Sequence, residues 1–272
     1  MKINSHNPIG IFDSGIGGLT VANAVTRLLP NESIVYFGDT AHTPWGDKST
    51  AAIQAYSIRI CDMLLQQNCK LILIACNTAS SAAYELVKEY LGNRAQLVDV
   101  IDPIVAHMRE HYADKVIGLI GTKQTISSNI YKKKIDALNV GIQLQSVATP
   151  LLVPLIEEGF ADSKITEETI RQYLSLPNLN NIEALILGCT HYPLIKNYIL
   201  NFYQHKITII DACEIVAHSV QGLLSFHNLL NRDTSSHKKI FYVSDYTATF
   251  EEHAKFFFSE AIHLEQYPLW DT

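Results

Sequence analysis

Short apolar runs alternate with longer amphipathic stretches along most of the chain. The runs are nearly continuously apolar rather than strictly alternating, which is typical of parallel strands covered on both faces. They predict strands at residues 9–12, 34–37, 71–75, 97–101, 116–120, 142–147, 184–187, 207–210 and 240–243. Between the third and fourth runs, Ala79, Ala83, Leu86, Val87 and Tyr90 recur at the spacing of one helix face. Strand followed by helix, repeated, predicts an α/β fold with mostly parallel sheets.

The order of these predicted elements occurs twice along the chain. The matching segments are residues 9–12 with 117–120, 71–78 with 184–191, and 101–107 with 210–218. Three matches in the same order predict two similar, pseudosymmetric domains, each with a mostly parallel sheet flanked by helices, and an active site in the cleft between them. The end of the chain is too short for a third core. We therefore expect residues 1–99 plus 210–272 to form the first α/β domain and residues 100–209 to form the second.

The overall composition excludes several classes of protein. Of the 272 residues, 47% are hydrophobic and 18% are charged, which is incompatible with intrinsic disorder. Lys and Arg number 21 against 27 Asp and Glu, so the chain has no general basic surface for nucleic acid or anionic lipid. The purest apolar run, residues 71–76, is far shorter than the roughly 20 residues of a membrane span, and the N-terminus lacks a secretory pattern. We therefore expect a cytoplasmic protein that binds neither nucleic acid nor membrane.

Two of the five cysteines, Cys76 and Cys189, occupy equivalent places in the repeat. The odd count and the lack of a C-x-x-C pair argue against a secreted disulfide scaffold. Each of the two follows an apolar strand, and ligands of parallel sheets bind beyond the carboxyl ends of strands. Asn77, Thr78 and Thr190 come next and favour the start of a helix, whose dipole would lower the pKa of a thiol. The alternative is that both cysteines are small buried hydrophobic side chains.

A glycine-rich turn, DSGIGG at residues 13–18, ends the first strand at the same predicted edge. Its backbone suits an anion, but Thr20 breaks the dinucleotide-binding fingerprint, and no P-loop motif occurs. Asp13 beside Cys76, and His191 beside Cys189, could exchange protons with the thiols. The alternative is that both residues are structural, with Asp13 capping a helix and His191 packed in the core. All four side chains are zinc ligands by type, but they lack the close spacing of a zinc site, so we predict no metal.

Several segments together resemble the glutamate racemase family, collinearly over nearly the whole chain. They are DSGIGGL at 13–19, YFGDT at 36–40, PWG at 44–46, ACNTAS at 75–80, VPLIE at 153–157 and LGCTH at 187–191. The resemblance implies a cofactor-independent racemase of the aspartate/glutamate racemase superfamily, with a two-domain α/β fold. It also implies racemisation of L-glutamate to D-glutamate for peptidoglycan synthesis, and so a part in cell-wall biogenesis and cell shape. Family members are commonly homodimers, and we expect one here.

The same resemblance implies roles for individual residues. Cys76 and Cys189 would be the two bases on opposite faces of the substrate α-carbon, with Asp13 assisting the first and His191 the second. The implied substrate contacts are Asp13, Ser14, Trp45, Gly46, Asn77, Thr78, Thr122, Thr190 and His191.

Two further acids, Asp39 and Glu157, match acidic positions of the family and are expected to support the site. The family usually has Pro-Tyr-Gly at residues 44–46, so the tryptophan of this chain lacks the hydroxyl of that tyrosine while the glycine backbone remains available. The family often has Cys-Pro at residues 149–150, and the threonine here leaves the two-base scheme unchanged. The chain starts only a few residues before its first strand, so we do not expect the activation by a cell-wall precursor found in relatives with an N-terminal extension.

Other functions remain open from the residues alone. The same chemistry could act on aspartate or another amino acid. A cysteine with a neighbouring histidine could also be the nucleophile of a hydrolase. A third alternative is a two-domain binding protein without catalysis, which the presence of both thiols and both neighbouring groups disfavours.

Overall fold

The computed structural model describes residues 3–234, 237–258 and 262–271. Its strands are β1 Ile9–Asp13, β2 Ile34–Gly38, β3 Leu71–Ile74, β4 Gln96–Asp99, β5 Val116–Gly121, β6 Gln143–Ala148, β7 Ala184–Gly188, β8 Thr208–Ile210, β9 Lys239–Val243 and β10 Leu264–Gln266. Its α-helices are α1 Leu19–Leu28, α2 Thr50–Gln66, α3 Asn77–Leu91, α4 Asp102–His111, α5 Lys123–Ser127, α6 Ile130–Asp136, α7 Leu152–Glu157, α8 Lys164–Leu174, α9 Lys196–Phe202, α10 Ala212–Phe226 and α11 Ala248–Phe257. Short 3-10 helices lie at Thr40–His42, Trp45–Asp47, Pro177–Leu179 and Tyr192–Ile195.

The strands form two parallel sheets of related topology. The first has the order β10-β9-β2-β1-β3-β4, and the second has the order β6-β5-β7-β8. The run β2-β1-β3-β4 of the first sheet is thus repeated as the whole of the second, with parallel pairing throughout. The predicted α/β fold, with two pseudosymmetric parallel sheets, is confirmed. We call the part of the molecule built on each sheet the first and the second lobe.

Burial on both faces explains why the strand sequences lack alternation. In β1, Ile9 and Ile11 pack into one core, which includes residues of α1 and α10, whereas Phe12 packs into another with residues of α2 and α3. Neighbouring strands divide in the same way; Tyr36 of β2 joins the first of these cores and Phe37 the second. Because both faces are covered, each residue of such a strand favours an apolar side chain.

Every predicted strand occurs, and no end differs by more than two residues from the prediction. The sequence pattern does not predict β10, a three-residue strand of sequence LEQ at the sheet edge. The end of the chain returns to the first lobe, because β9 pairs with β2 and carries β10 beside it. The domain boundaries after residues 99 and 209 stay predictions. No helix in the three described ranges is long and apolar enough to cross a bilayer.

Candidate active site

The carboxyl ends of strands from both lobes meet at one pocket. Its empty volume is about 640 Å³, which includes the part of the pocket that is open to solvent. The residues that line it are Ser14, Thr43, Pro44, Trp45, Gly46, Asp47, Cys76, Asn77, Thr78, Thr122, Lys123, Thr149, Pro150, Val153, Pro154, Glu157, Cys189, Thr190 and His191. Both cysteines singled out by the sequence repeat are therefore on the wall of the same pocket, one from each lobe.

Cys76 comes between β3 and α3, and its side chain caps that helix. The sulfur accepts a hydrogen bond from the N–H of Ala79 at 3.4 Å and lies 3.6 Å from Ser14 Oγ. Burial, together with the negative charge of Asp13, nevertheless raises the pKa of Cys76 to about 12, against the opposing effect of the two hydrogen bonds. The expectation of a thiol whose pKa is lowered overall is therefore wrong, although the N–H of Ala79 at the start of α3 does act to lower it. Desolvation outweighs the helix dipole, and Cys76 is a thiol at neutral pH.

Cys189 follows β7 and lies at one end of a chain of polar contacts. Its sulfur is 3.6 Å from Nδ1 of His191, whose Nε2 is 2.9 Å from Oε1 of Glu157. Burial alone would lower the pKa of His191, but the hydrogen bonds to Cys189 and Glu157 hold that pKa well above its usual value. A protonated imidazole therefore faces the sulfur, where it can stabilise a thiolate or supply a proton.

Asp13 ends β1 behind the pocket wall and is completely buried. Its Oδ2 accepts the N–H of Gly15 at 3.0 Å, while Oδ1 has no hydrogen-bond partner among the described residues. Burial raises the pKa of this carboxyl group, against the opposing charge of His191. Asp13 therefore holds a proton more readily than an exposed aspartate and is close enough to raise the pKa of Cys76.

The glycine turn at residues 15–18 packs closely between the side chains of Asp13 and His191. A Cβ at Gly17 would lie 2.4 Å from Cε1 of His191, and a Cβ at Gly18 would lie 2.5 Å from Cβ of Asp13. Glycine is required at both positions because the backbone approaches these side chains too closely for any larger residue. The turn thereby brings the first lobe against the imidazole of the second.

Hydroxyl and amide groups from both lobes join across the pocket. Thr122 caps α5, and its Oγ1 lies 2.9 Å from Oγ1 of Thr78. Asn77 accepts a hydrogen bond from the hydroxyl of Tyr131 at 2.7 Å. The carbonyl of Thr190 accepts a hydrogen bond from the hydroxyl of Thr20 at 3.1 Å. These contacts fix the width of the cleft and leave the start of α3 facing it, where backbone N–H groups favour an anion.

The two predicted supporting acids lie in different surroundings. Glu157 is on the pocket wall and binds His191, as described above. Asp39 does not line the pocket; it is fully buried beneath the loop of residues 43–47 and accepts the indole N–H of Trp45 at 3.2 Å. Trp45 and Gly46 of this loop are among the residues that line the pocket, and Gly46 packs so closely on Thr122 that a Cβ there would lie 3.0 Å from the threonine Cβ.

Several pocket residues are not among the predicted site residues. They are Thr43, Pro44, Asp47, Lys123, Thr149, Pro150, Val153 and Pro154. Thr149 and Pro150 follow β6 directly, so the rule that ligands bind at the carboxyl ends of parallel strands could have found them. Lys123 and Asp47 form an exposed ion pair of 3.1 Å between the lobes, which no local pattern indicates.

The described residues contain no group of three or more His, Cys, Asp or Glu side chains arranged to hold a metal ion. Cys76 and Cys189 have separate partners, Ser14 and His191. The arrangement places two thiols and an imidazole on the wall of one pocket, with the Asp13 carboxyl group behind it, and such groups are suited to moving protons on either side of a bound molecule.

Comparisons with known proteins point to one family. The model of the Asp/Glu/hydantoin racemase family matches residues 20–220. The chain is 42% identical over 252 residues to a glutamate racemase of Chlorobaculum parvum, covering 92% of each chain. It is 39% identical over 247 residues to a glutamate racemase of Neisseria meningitidis, covering 90% of each chain.

A solved structure agrees with these relatives. The crystal structure of glutamate racemase from Francisella tularensis in complex with D-glutamate superposes with a TM-score of 0.92 at 38% identity. The match covers 98% of this chain and 100% of that one. The chain belongs to the Asp/Glu/hydantoin racemase family, and the prediction that it is an amino-acid racemase is confirmed.

Proposed function

We propose that the protein is a glutamate racemase that interconverts L- and D-glutamate without a cofactor, using Cys76 and Cys189 as two bases. The observation that carries this proposal is the pair of thiols at equivalent strand ends of two related lobes, both lining one pocket. Glutamate as the substrate is supported by the relatives named glutamate racemase and by the D-glutamate complex of the Francisella enzyme.

The proposed reaction moves one proton off the α-carbon and another onto its opposite face. A thiolate takes the α-proton and becomes a thiol, leaving the electron pair of the broken C–H bond on the α-carbon and its carboxylate. The second thiol gives its proton to the other face and becomes a thiolate. Atoms and charge balance, and the two sulfurs have exchanged protonation states. One base serves each face, which a single fixed side chain cannot do.

The surroundings of the two sulfurs favour one starting state. Cys76, with its pKa raised to about 12, takes the part of the acid first, and Cys189, whose sulfur lies 3.6 Å from Nδ1 of His191, takes the part of the base. The high pKa also makes the Cys76 thiolate, once formed, a stronger base than an exposed thiolate with a pKa of about 8.5. Asp13 and His191 then return the sulfurs to their starting states by exchanging protons with them.

Substrate binding is proposed to use the residues expected from the family resemblance. Ser14, Thr78, Thr122 and Thr190 offer hydroxyl groups on the pocket wall, and α3 presents its N-terminal N–H groups there. Such donors suit carboxylates and stabilise the charge that develops on the α-carboxylate when the proton leaves. Gly46 and Asn77 contribute polar backbone and amide groups beside them.

The wider role is proposed on the family resemblance. We infer that the protein supplies D-glutamate for peptidoglycan, and thereby supports the cell wall and cell shape, as a homodimer in the cytoplasm. Growth without D-glutamate of a bacterial strain that lacks its own racemase, after introduction of this chain, tests the role. Light scattering on the purified protein tests the oligomeric state.

The experiment that tests the activity uses pure L-glutamate in D₂O, without added pyridoxal phosphate or metal. We expect the α-proton NMR signal and the optical rotation to disappear together. Exchange of the α-proton of L-aspartate, but not of L-glutamate, would indicate that aspartate is the substrate. Absence of exchange with any amino acid would favour the binding or hydrolase alternatives. Exchange that survives replacement of both cysteines by alanine would refute the two-thiol mechanism.

A further inference from the structure

Both tryptophans of the chain donate their indole N–H groups to one buried carboxyl group, that of Asp39. Trp45 Nε1 lies 3.2 Å from Oδ2, and Trp270 Nε1 lies 2.8 Å from Oδ1. Ser244 Oγ and His42 Nδ1 donate to the same carboxyl group, at 2.8 and 3.0 Å. Since Asp39 has no exposed surface, hydrogen bonds from protein groups must satisfy its oxygens, and these four side chains supply them within the described part of the chain.

The rings around Asp39 also pack on one another. His42 stacks on Tyr56 with ring centroids 4.3 Å apart. Trp270 packs on both in a T-shaped arrangement, with centroid distances of 4.7 and 5.4 Å, and the ring centroids of Trp45 and Tyr56 are 5.6 Å apart. Trp270 belongs to the segment after β10, which is anchored by a hydrogen bond from the N–H of Tyr267 to the carbonyl of Val243. The end of the chain thus covers the loop that carries Trp45.

That loop reaches from Asp39 to the pocket and across to the second lobe. Trp45 and Gly46 line the pocket, Gly46 packs on Thr122, and Asp47 pairs with Lys123. A change in the hydrogen bonds of Asp39 would therefore be transmitted to a wall of the cleft and to the contact between the lobes.

We propose that Trp270 is a positioning residue that acts through Asp39 to hold Trp45 and the loop of residues 43–47 in the form that binds the substrate. Trp45 then owes its place less to a contact with substrate than to its indole N–H, which the family's tyrosine does not have. Loss of the Trp270 donor leaves a buried charged acceptor with one hydrogen bond fewer. The loop becomes looser, and the substrate must order it on binding.

The test compares Trp270→Phe, which keeps an aromatic ring but removes the N–H, with Tyr267→Phe in the same segment. Because the proposal rests on the racemase activity proposed above, steady-state kinetics on L-glutamate is the first measurement. We expect Trp270→Phe to raise KM about tenfold, as expected for a hydrogen bond to a charged group, with kcat nearly unchanged. Tyr267→Phe should keep both constants. Asp39→Asn should raise KM by a similar factor. The double variant, with both Trp270→Phe and Asp39→Asn, should have a KM close to that of either single variant, because both substitutions disrupt the same hydrogen bond.

The second measurement needs no substrate. In Trp270→Phe the remaining tryptophan is Trp45, which is 1% exposed in the intact protein and thus shielded from a quencher in water. We expect acrylamide to quench its fluorescence readily in this variant. A wild-type KM, or a Trp45 that stays shielded, overturns the proposal. A lower melting temperature with unchanged KM also overturns it, since that would indicate a purely structural role. A wild-type protein inert towards glutamate refutes the proposed substrate instead, while the quenching result still decides the positioning role.

Discussion

Replacing Gly17 by alanine tests whether the glycine turn exists to bring the first lobe against His191. The added Cβ would lie 2.4 Å from Cε1 of His191, 2.5 Å from its Nδ1 and 2.7 Å from Oγ1 of Thr190. Carbon atoms in contact are normally about 3.5–4.0 Å apart, so the imidazole or the turn must move by about 1 Å. The imidazole is held on both sides, at 3.6 Å from the Cys189 sulfur and 2.9 Å from the Glu157 carboxylate. A shift of that size breaks at least one of these contacts.

Two effects follow from this overlap. Overpacking of a filled site lowers the free energy of unfolding by about 1–3 kcal/mol. Misplacement of a reacting group by about 1 Å lowers the rate about a hundredfold. We therefore expect Gly17→Ala to fold, to unfold at lower urea concentration, and to lose about a hundredfold in kcat/KM when racemisation is followed by circular dichroism.

The matched control is Gly222→Ala in α10. Gly222 is exposed, and a Cβ built there meets nothing within 4 Å. Alanine in an exposed helix interior raises the free energy of unfolding by about 0.5–1 kcal/mol relative to glycine. This variant should be more stable and fully active. Wild-type kcat/KM in Gly17→Ala would refute the idea that close approach to His191 is what requires glycine there.

Further predictions concern the proton-transfer groups. Cys76→Ser and Cys189→Ser should each nearly abolish racemisation, because a hydroxyl is a far weaker acid than a thiol, while thermal melts stay cooperative; loss of the folded state would instead favour a structural role for these cysteines. Glu157→Gln removes the negative charge that helps to raise the pKa of His191. The imidazole then loses its proton at lower pH, so the alkaline limb of the pH–rate profile should move to lower pH. An unchanged limb would mean that the protonation of His191 does not limit the reaction.

The parts of the site that follow from strand ends are predictable from the sequence. Cys76 and Cys189 come directly after strands of the repeat, and parallel strands bring their carboxyl ends to one edge. The glycine turn and His191 are local to the same ends. Each of these residues lines the pocket or lies directly behind its wall because the rule needs only the strand positions and their direction.

What the sequence does not predict depends on contacts between distant segments. Asp39 directly follows β2, much as Asp13 ends β1, yet the Asp39 carboxyl group bonds to Ser244 and Trp270, more than 200 positions along the chain. The pKa of Cys76 likewise depends on contacts between segments that are distant in the sequence. The helix N-terminus is a local feature that lowers the pKa, whereas the burial that raises it more depends on distant segments, since Cys76 belongs to a core that also contains Phe12 and Leu269. β10 is too short, at three residues, to carry a pattern.

The return of the chain end to the first sheet sets an order of assembly during synthesis. β5 to β8 are continuous in the sequence, so the second sheet can pair as soon as residue 210 is available. β2 keeps an open edge until β9 has been made. Ser244 and Trp270, which hold Asp39, come later still. A nascent chain therefore carries both thiols well before Ser244 and Trp270 can bond to Asp39, so the side of the pocket that includes Trp45 and Gly46 gains this support only near the end of synthesis.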